Sequence, residues 1–312
     1  MTLTKDDMDW TFDGQWPFEP NWFESADGKM HYVDVGPKDA IPVVMVHGNP
    51  TWGYLYRRFI AAVVEQGHRA IVMDHLGFGR SDKPDNPKLY SIEHHVNRCS
   101  ALLESLKITE ATLVVQDWGG PIGLGWAANH SNRVAQLFIL NTYFHRPHRP
   151  VPLPLPLKLF RTPGVGELMV KGLHAFVRVF LFKAGLANPN VLSPLDKRAY
   201  LAPHPSWRTR TAILQFPRQI PADQTDPLND LIEPWHAQLV NNFAHKPVSI
   251  VWPRLDVAFQ MDVLQEMWMP DFPHAKVEVL DAGHYIQEDA HEQVIPELLE
   301  FVRLYEQGRR TT

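Results

Sequence analysis

A carboxylate lies at a sharp turn between a predicted strand and a predicted helix. The apolar run 111–115 is rich in β-branched residues and ends at the pentad Gln-Asp-Trp-Gly-Gly of residues 116–120. Pro121 then opens a stretch with helical spacing. A turn of this kind presents one side chain, here that of Asp117, as a nucleophile. An Asp favours attack on a carbon that bears a leaving group, which forms an alkyl ester, over acyl transfer.

Two further residues that could assist a nucleophile follow later predicted strands. Asp256 comes after the apolar run 248–252, and His284 follows the run 276–280 through a Gly turn. In open α/β sheets the site forms at the carboxyl ends of the strands, so these side chains should meet Asp117. The order nucleophile, acid, base predicts His284 as the base and Asp256 as the acid that orients its imidazole. Asp262 is the neighbouring alternative for the acid.

Other kinds of catalytic centre find little support in the sequence. No Ser lies in the pattern Gly-x-Ser-x-Gly, and Ser81 has glycines on one side only. The single Cys, Cys99, excludes an intrachain disulfide and lies in a predicted helix. His145 and His148 fall in a Pro-rich stretch without the spacing of metal ligands, and no phosphate-binding loop is present. We therefore expect no metal.

The composition bounds the class of protein. The chain has 312 residues, of which 45% are hydrophobic and 21% are charged, enough for one large α/β core with an insertion. The formal net charge of −5 argues against nucleic acid and anionic membranes as partners. The acidic N-terminus lacks the apolar core of a signal peptide, and no apolar run approaches the ~20 residues of a membrane span. These features predict a cytoplasmic protein.

The elements that position the candidate residues alternate between strands and helices. Strands are predicted at 29–35, 42–46, 69–73, 111–115, 136–140, 248–252 and 276–280, and helices at 54–65, 92–106 and 292–307. Continuously apolar strands alternating with helices indicate a mostly parallel sheet covered on both faces.

The alternation breaks in the middle of the chain. Residues 147–163 are Pro-rich and basic, and helical stretches such as 167–184 follow. We interpret residues 143–241 as a helical cap inserted between two strands, with 1–142 and 242–312 as the two parts of the core. The Pro-rich run could equally serve as a rigid linker.

Taken together, the motifs resemble those of the haloalkane dehalogenases, a family of the α/β-hydrolase superfamily. The likeness spans nearly the whole chain outside the cap, and rests on residues 47–52 with 54–58, 74–84, 114–121 and 216–221. This resemblance implies a mostly parallel eight-stranded sheet flanked by helices, with an inserted helical cap. The combination of an Asp-His-Asp triad with an Asn-Trp halide pair resembles one branch of the family, in which Asn141 replaces the Glu of another branch.

The resemblance also implies a reaction that needs no cofactor. Asp117 would displace halide from a small apolar haloalkane, and water activated by His284 would then cleave the ester to a primary alcohol, halide and a proton. The side chains of Asn49 and Trp118 would hold the halide, and their backbone N–H groups would form the oxyanion hole. Phe216 and Pro217 would line an apolar wall. Trp207 in the cap ranks below Asn49 as the second halide donor.

Several alternatives stay open at this point. An epoxide hydrolase would share the Asp nucleophile and would need cap tyrosines, of which Tyr200 and Tyr143 are the candidates. A haloacid-specific relative would need an Arg pair, for which Arg208 and Arg210 are available. A cofactor-free oxygenase of the luciferase kind shares the same catalytic residues, and intact Asp and His residues argue against a silent binding protein. The preferred substrate and the oligomeric state are left open.

Overall fold

The molecule is built around one eight-stranded sheet. The computed structural model describes residues 8–147, 153–221 and 223–311. The strands, in chain order, are β1 Asn21–Ser25, β2 Gly28–Val35, β3 Pro42–Val46, β4 Arg69–Met73, β5 Thr112–Val115, β6 Gln136–Leu140, β7 Val248–Pro253 and β8 Lys276–Leu280. Their order across the sheet is β1-β2-β4-β3-β5-β6-β7-β8. Strand β2 is antiparallel to both neighbours, and the remaining pairs are parallel. The predicted fold class is confirmed.

Helices cover both faces of the sheet and form the insertion. They are α1 Arg57–Glu65, α2 Ile92–Ser105, α3 Gly119–Asn129, α4 Leu155–Arg161, α5 Pro194–Leu201, α6 Thr211–Arg218, α7 Pro227–Phe243, α8 Met261–Val263, α9 Met269–Asp271, α10 Ile286–Asp289 and α11 His291–Thr311. The segments Glu167–Gly172, Phe176–Ala184 and Leu264–Trp268 are wound as π-helices. The central strands β3 to β6 are buried along their whole length, which explains their uninterrupted apolar sequence.

The structure differs from the predicted elements in two places. Strand β1 was not predicted as a separate element, because its residues are only half buried and carry no continuous apolar run. The predicted helix at 167–184 is interrupted at His174, whose φ of +56° is left-handed and ends the first π-helical segment. Gly172, the last residue of that segment, is the nearest sequence signal of the interruption.

The insertion between β6 and β7 contains only helices in the part of it that the structure describes. Helix α7 packs against α3 of the core, where Gly125 leaves room for the Trp235 ring. The cap boundaries at 143 and 241 stay a prediction. His148 and part of the Pro-rich run fall outside the described residues, as do the first seven residues.

The described residues include no helix that combines the length and the apolar character needed to cross a bilayer. The predicted cytoplasmic location stays a prediction.

Candidate active site

Asp117 occupies a strained turn between β5 and α3. Its φ is +52°, in the left-handed region that non-Gly residues rarely adopt. The two following glycines make the turn possible. A Cβ on Gly119 would lie 2.1 Å from the Val46 carbonyl oxygen, and one on Gly120 would lie 1.8 Å from Thr142 Oγ1. The pentad therefore forms the strand-turn-helix geometry that its sequence predicted.

The two oxygens of the Asp117 carboxylate have different surroundings. The backbone N–H of Asn49 donates to Oδ1 over 2.7 Å. Oδ2 lies 3.4 Å from Nε2 of His284, and the side chain is 10% exposed. One oxygen is thus anchored by a backbone donor while the other faces the imidazole. The oxyanion-hole roles of the Asn49 and Trp118 N–H groups stay predictions.

His284 and Asp256 form a fully buried pair. Nδ1 of His284 lies 3.0 Å from each carboxylate oxygen of Asp256, and neither side chain is exposed. The Ala258 N–H donates to Asp256 Oδ1 over 2.7 Å, which fixes the carboxylate. The alternative acid, Asp262, instead accepts the N–H of Val263 at the start of α8. The structure thus brings Asp256, rather than Asp262, against the imidazole.

Two amide side chains hold the His284 loop. Asn141, at the end of β6, donates from Nδ2 to Asp256 Oδ2 over 2.7 Å and to the His284 carbonyl oxygen over 2.8 Å. Gln116 donates to the same carbonyl oxygen over 3.0 Å. Asn141 therefore joins the acid to the backbone of the His residue.

The charges around His284 set its protonation. Burial by itself lowers the pKa of His284, but the carboxylates of Asp256 and Asp117 outweigh it and raise the pKa to about 10. The imidazole is thus a cation in the free site at neutral pH. The protonated imidazole stabilises the folded state. This stabilisation is complete below the ordinary pKa of His, near 6.5, and is lost as the pH rises through the folded-state pKa of about 10.

Aromatic rings enclose the remaining faces of the site. The His284 ring centroid lies 5.3 Å from that of Phe180, 5.6 Å from that of Phe259 and 4.8 Å from that of Tyr285. Phe180 belongs to the second π-helical segment of the insertion, and Phe259 lies in the loop after β7. Sequence reasoning missed these lining residues because no motif or spacing connects them to the pentad.

The predicted halide donors are only partly arranged for that role. The Trp118 side chain is 96% buried, and its ring lies 5.6 Å from Tyr143 and 5.1 Å from Phe216. The Asn49 side chain donates from Nδ2 to the Ile213 carbonyl oxygen over 3.4 Å, and its Oδ1 has no partner among the described residues. Halide binding by the Asn49 side chain requires its amide to rotate, and stays a prediction.

The other predicted site residues lie on the insertion. Phe216 on α6 is buried beside Trp118, as expected of a wall residue. Pro217 is also buried, and its carbonyl oxygen accepts from Arg161 over 3.0 Å. Trp207 is 45% exposed, and Lys171 Nζ lies over its ring at 5.4 Å from the centroid. Trp207 therefore lies on the outside of the insertion rather than beside Asp117.

The residues that the rival functions need are engaged elsewhere or face solvent, with one exception. Tyr200 donates its hydroxyl to Glu288. Arg210 donates to main-chain carbonyl oxygens, including that of His204 over 2.9 Å, while the Arg208 side chain is 83% exposed. The exception is Tyr143, whose buried hydroxyl has no partner within the described ranges.

A His-His-Asp cluster that the sequence did not indicate lies away from Asp117. Nε2 of His145 and Nε2 of His236 lie 2.6 and 2.7 Å from Asp271 Oδ2. These three side chains form a group that could hold a metal ion. The Phe144 N–H, however, donates to His145 Nδ1 over 3.3 Å, which leaves the His145 proton on Nε2, directed at the carboxylate. Burial raises the pKa of Asp271, but the hydrogen bonds from both imidazoles outweigh it and lower the pKa to about 2. The absence of a metal stays a prediction.

Comparison with known proteins defines the class. Residues 41–291 match the family model of the alpha/beta hydrolase fold, and the chain belongs to that family. A haloalkane dehalogenase of Mycobacterium marinum is 32% identical over 87% of this chain and 86% of its own. The crystal structure of the haloalkane dehalogenase DbeA from Bradyrhizobium elkani aligns with a TM-score of 0.84 and 28% identity, covering 93% of this chain and 99% of that one.

A second kind of relative is also present. The cis-3-alkyl-4-alkyloxetan-2-one decarboxylase of Shewanella oneidensis is 39% identical over 92% of this chain and 89% of its own. Within the α/β-hydrolase fold, this chain belongs to the haloalkane dehalogenase family, and it is also similar to proteins named for a different reaction.

Proposed function

We propose that this protein breaks the bond between a saturated carbon and a leaving group by forming an alkyl ester on Asp117. The observation that carries the proposal is the asymmetry of the Asp117 carboxylate. Oδ1 is held at 2.7 Å by the Asn49 N–H, whereas Oδ2 is directed toward His284. A carboxylate with one oxygen anchored by a backbone N–H and the other beside the imidazole is suited to in-line attack on a bound alkyl carbon.

The first candidate reaction is hydrolytic dehalogenation of a haloalkane. Oδ2 of Asp117 forms a bond to the carbon, and the carbon–halogen bond breaks with its electron pair on the halide. The indole N–H of Trp118, in an aromatic environment, is the leading donor to that halide. The choice of a haloalkane as substrate rests on the relatives that are named haloalkane dehalogenases.

Ester hydrolysis then completes this reaction. With Asp117 neutralised, His284 releases its proton to solvent and then takes a proton from water, and the resulting hydroxide attacks the ester carbonyl. The bond between the carbonyl carbon and the alkyl oxygen then breaks, the alkoxide takes the proton back from His284, and the Asp117 carboxylate is restored. The Asn49 N–H stabilises the negative charge that develops on the carbonyl oxygen. Asp256 holds the imidazole and balances its charge. The products are an alcohol, halide and a proton.

A second candidate is decarboxylation of a cis-3-alkyl-4-alkyloxetan-2-one, the substrate in the name of the 39% identical relative. Two features of the site favour it. The Tyr143 hydroxyl is buried near Trp118 without a partner among the described residues, and can donate to a carboxylate. The resting His284 is a cation, which suits stabilisation of a departing carboxylate better than abstraction of a proton from water.

The steps of this second reaction balance without water. Asp117 attacks ring carbon 4, the bond between that carbon and the ring oxygen breaks, and a free carboxylate remains on carbon 3. The bond between carbon 3 and the carboxylate then breaks, its electron pair forms the alkene, and Asp117 leaves with the ester electrons. The products are an alkene and carbon dioxide, and both reactions begin by forming an alkyl ester on Asp117.

Product analysis separates the candidates. The purified protein is incubated with 1-bromobutane and 1,2-dibromoethane while halide is measured, and with a cis-3,4-dialkyloxetan-2-one while alkene and carbon dioxide are measured. Halide release supports dehalogenation, and alkene without halide supports decarboxylation. Opening of styrene oxide alone would instead favour an epoxide hydrolase. Asp117→Asn is the control because Asn tolerates the left-handed backbone and removes the nucleophile; activity that survives it contradicts the proposal.

A further inference from the structure

Charge is distributed unevenly along this chain. Residues 153–210 of the insertion contain nine Lys and Arg residues and only two acidic residues, Glu167 and Asp196, which gives a formal charge of +7. The chain as a whole has a formal charge of −5. The rest of the chain is therefore strongly acidic, and the net charge conceals a basic region.

The same region holds many exposed apolar side chains. Among the described residues, twelve large apolar side chains are exposed, and half of them lie between positions 155 and 207. Leu155, Leu173 and Leu168 are the most exposed of these, at 68%, 63% and 60%. The six side chains are those of Leu155, Val165, Leu168, Leu173, Val179 and Trp207. Together with the exposed basic residues among them, they form what we term the outer cap face.

Part of the outer cap face is a continuous patch around Gly172. A Cβ at Gly172 would lie 3.4 Å from both the Leu168 side chain and the Trp207 ring, so these two apolar groups flank the same glycine. Lys171 Nζ lies 5.4 Å from the centroid of the Trp207 ring. Arg210 donates to the carbonyl oxygens of Lys171 and Gly172. Lys171 is itself buried and pairs with Asp85 at 3.1 Å, so this patch supplies the apolar part of the outer cap face.

The π-helical segment Phe176–Ala184 connects this surface to the catalytic centre. Phe180 is directed inward, and its ring centroid lies 5.3 Å from that of His284. Arg178, Val179 and Lys183 are directed outward and are exposed. A helix with its side chains is about 10 Å across. The outer cap face thus lies about one helix diameter from the catalytic imidazole.

The cations of this face are available to an external partner. Lys158, Arg178 and Lys183 form no ion pair with any residue that the structure describes. Helix α4, which carries Lys158, packs against the Glu167–Gly172 segment, and Phe160 of α4 packs against Phe176 at 5.3 Å between ring centroids. The three cations are therefore on neighbouring elements of one layer.

We propose that the outer cap face docks on an anionic lipid bilayer. Interleaved Lys, Arg, Leu, Val and Trp side chains match the interfacial region of such a membrane, where apolar groups enter the acyl boundary and cations meet headgroup phosphates. An acidic protein surface would satisfy the cations but would leave the isolated leucines without partners. The net charge of −5 predicted no membrane partner, and the proposal departs from that expectation because the charge is segregated. Docking is independent of the reaction that the enzyme performs.

Vesicle sedimentation tests the proposal without any turnover. The full-length protein is mixed at low salt with vesicles of phosphatidylcholine alone or with added phosphatidylglycerol. We expect sedimentation with the anionic vesicles, weaker binding at high salt, and none with phosphatidylcholine alone. Because each surface cation contributes about a fivefold change in partitioning, a variant carrying Lys158→Glu, Arg178→Glu and Lys183→Glu should bind at least about tenfold more weakly.

A matched control carries the same charge change on the core. Lys38→Glu, Lys276→Glu and Arg303→Glu reverse three exposed cations outside the insertion, and this variant should bind like wild type. Leu168→Ser with Leu173→Ser should weaken binding by removing groups that enter the bilayer, and thermal melting confirms that each variant folds. The proposal is overturned if wild type fails to bind anionic vesicles or binds neutral vesicles equally well. It is also overturned if the core control loses as much binding as the cap variant, or if the Leu variant binds as well as wild type.

Discussion

Replacement of Asp256 by Asn should change the protonation of His284 while altering the shape of the site very little. The Asp256 carboxylate receives three donors: His284 Nδ1, the Ala258 N–H and Asn141 Nδ2. A carboxamide has one oxygen for these donors and an NH₂ group in place of the other oxygen. Either orientation sets that NH₂ group against a donor at 2.7 Å, so the variant loses a charge and at least one hydrogen bond.

The size of the effect follows from the geometry. Two charges 3.0 Å apart attract by roughly 5 kcal/mol at an effective dielectric constant of about 20. A change of one in a pKa corresponds to about 1.36 kcal/mol, so loss of the Asp256 charge should lower the pKa of His284 by about four. Burial lowers the pKa of His284, and in the variant the Asp117 carboxylate is the remaining charge that opposes this decrease. The pKa should fall from about 10 into the ordinary range of His or below it.

Nuclear magnetic resonance titration measures this pKa directly. His284 is labelled with ¹⁵N, and the shifts of its two ring nitrogens are followed from acid to alkaline pH in wild type and in the variant. The readout needs no substrate, so it tests the pairing independently of the reaction. Asp262→Asn is the matched control, since its carboxylate contacts the start of α8 rather than the imidazole.

Two results would refute the pairing of Asp256 with His284. One is a pKa of His284 that stays near 10 in the Asp256→Asn protein. The other is an equal decrease in the Asp262→Asn protein, which would identify the wrong acid. A decrease restricted to Asp256→Asn supports the charge arrangement derived from the structure.

Three further changes test other parts of the account. Glu288→Ala should lower the free energy of unfolding by about 3–5 kcal/mol, because Arg57, which donates to Glu288 over 2.9 Å, would remain buried without that partner; an unchanged urea midpoint would contradict this. Gly120→Ala should cost about 1–3 kcal/mol through overpacking against Thr142 Oγ1, and Thr142→Ala should restore part of the loss. Hydrolysis of the Asp117 ester should slow tenfold per pH unit below the pKa that His284 has in the ester, and a rate independent of pH in single-turnover measurements would exclude His284 as the base.

The sequence predicted the core of the fold well because its strands are short, apolar and bounded by turn residues. Strands β3, β4, β6 and β8 lie where the hydrophobic pattern placed them. Asp117, His284 and Asp256 could be predicted together because each follows a parallel strand, and the parallel sheet brings those ends to one edge.

The parts that the sequence did not predict depend on contacts between distant segments. Phe180 reaches His284 only because a π-helical segment of the insertion crosses above it. The orientation of the Asn49 amide depends on the Ile213 carbonyl oxygen on α6, which no local pattern indicates. Net charge likewise could not reveal the basic outer cap face, because the acidic remainder of the chain masks it.

A covalent adduct on Asp117 is the most direct test of the central claim. His284→Ala removes the base and leaves the nucleophile, so exposure of this variant to 1-bromobutane should accumulate a butyl ester that intact-protein and peptide mass spectrometry place on Asp117. The Asp117→Asn protein should remain unmodified under the same conditions. If wild type releases halide from this substrate while the His284→Ala protein stays unmodified, Asp117 is not the residue that attacks the carbon.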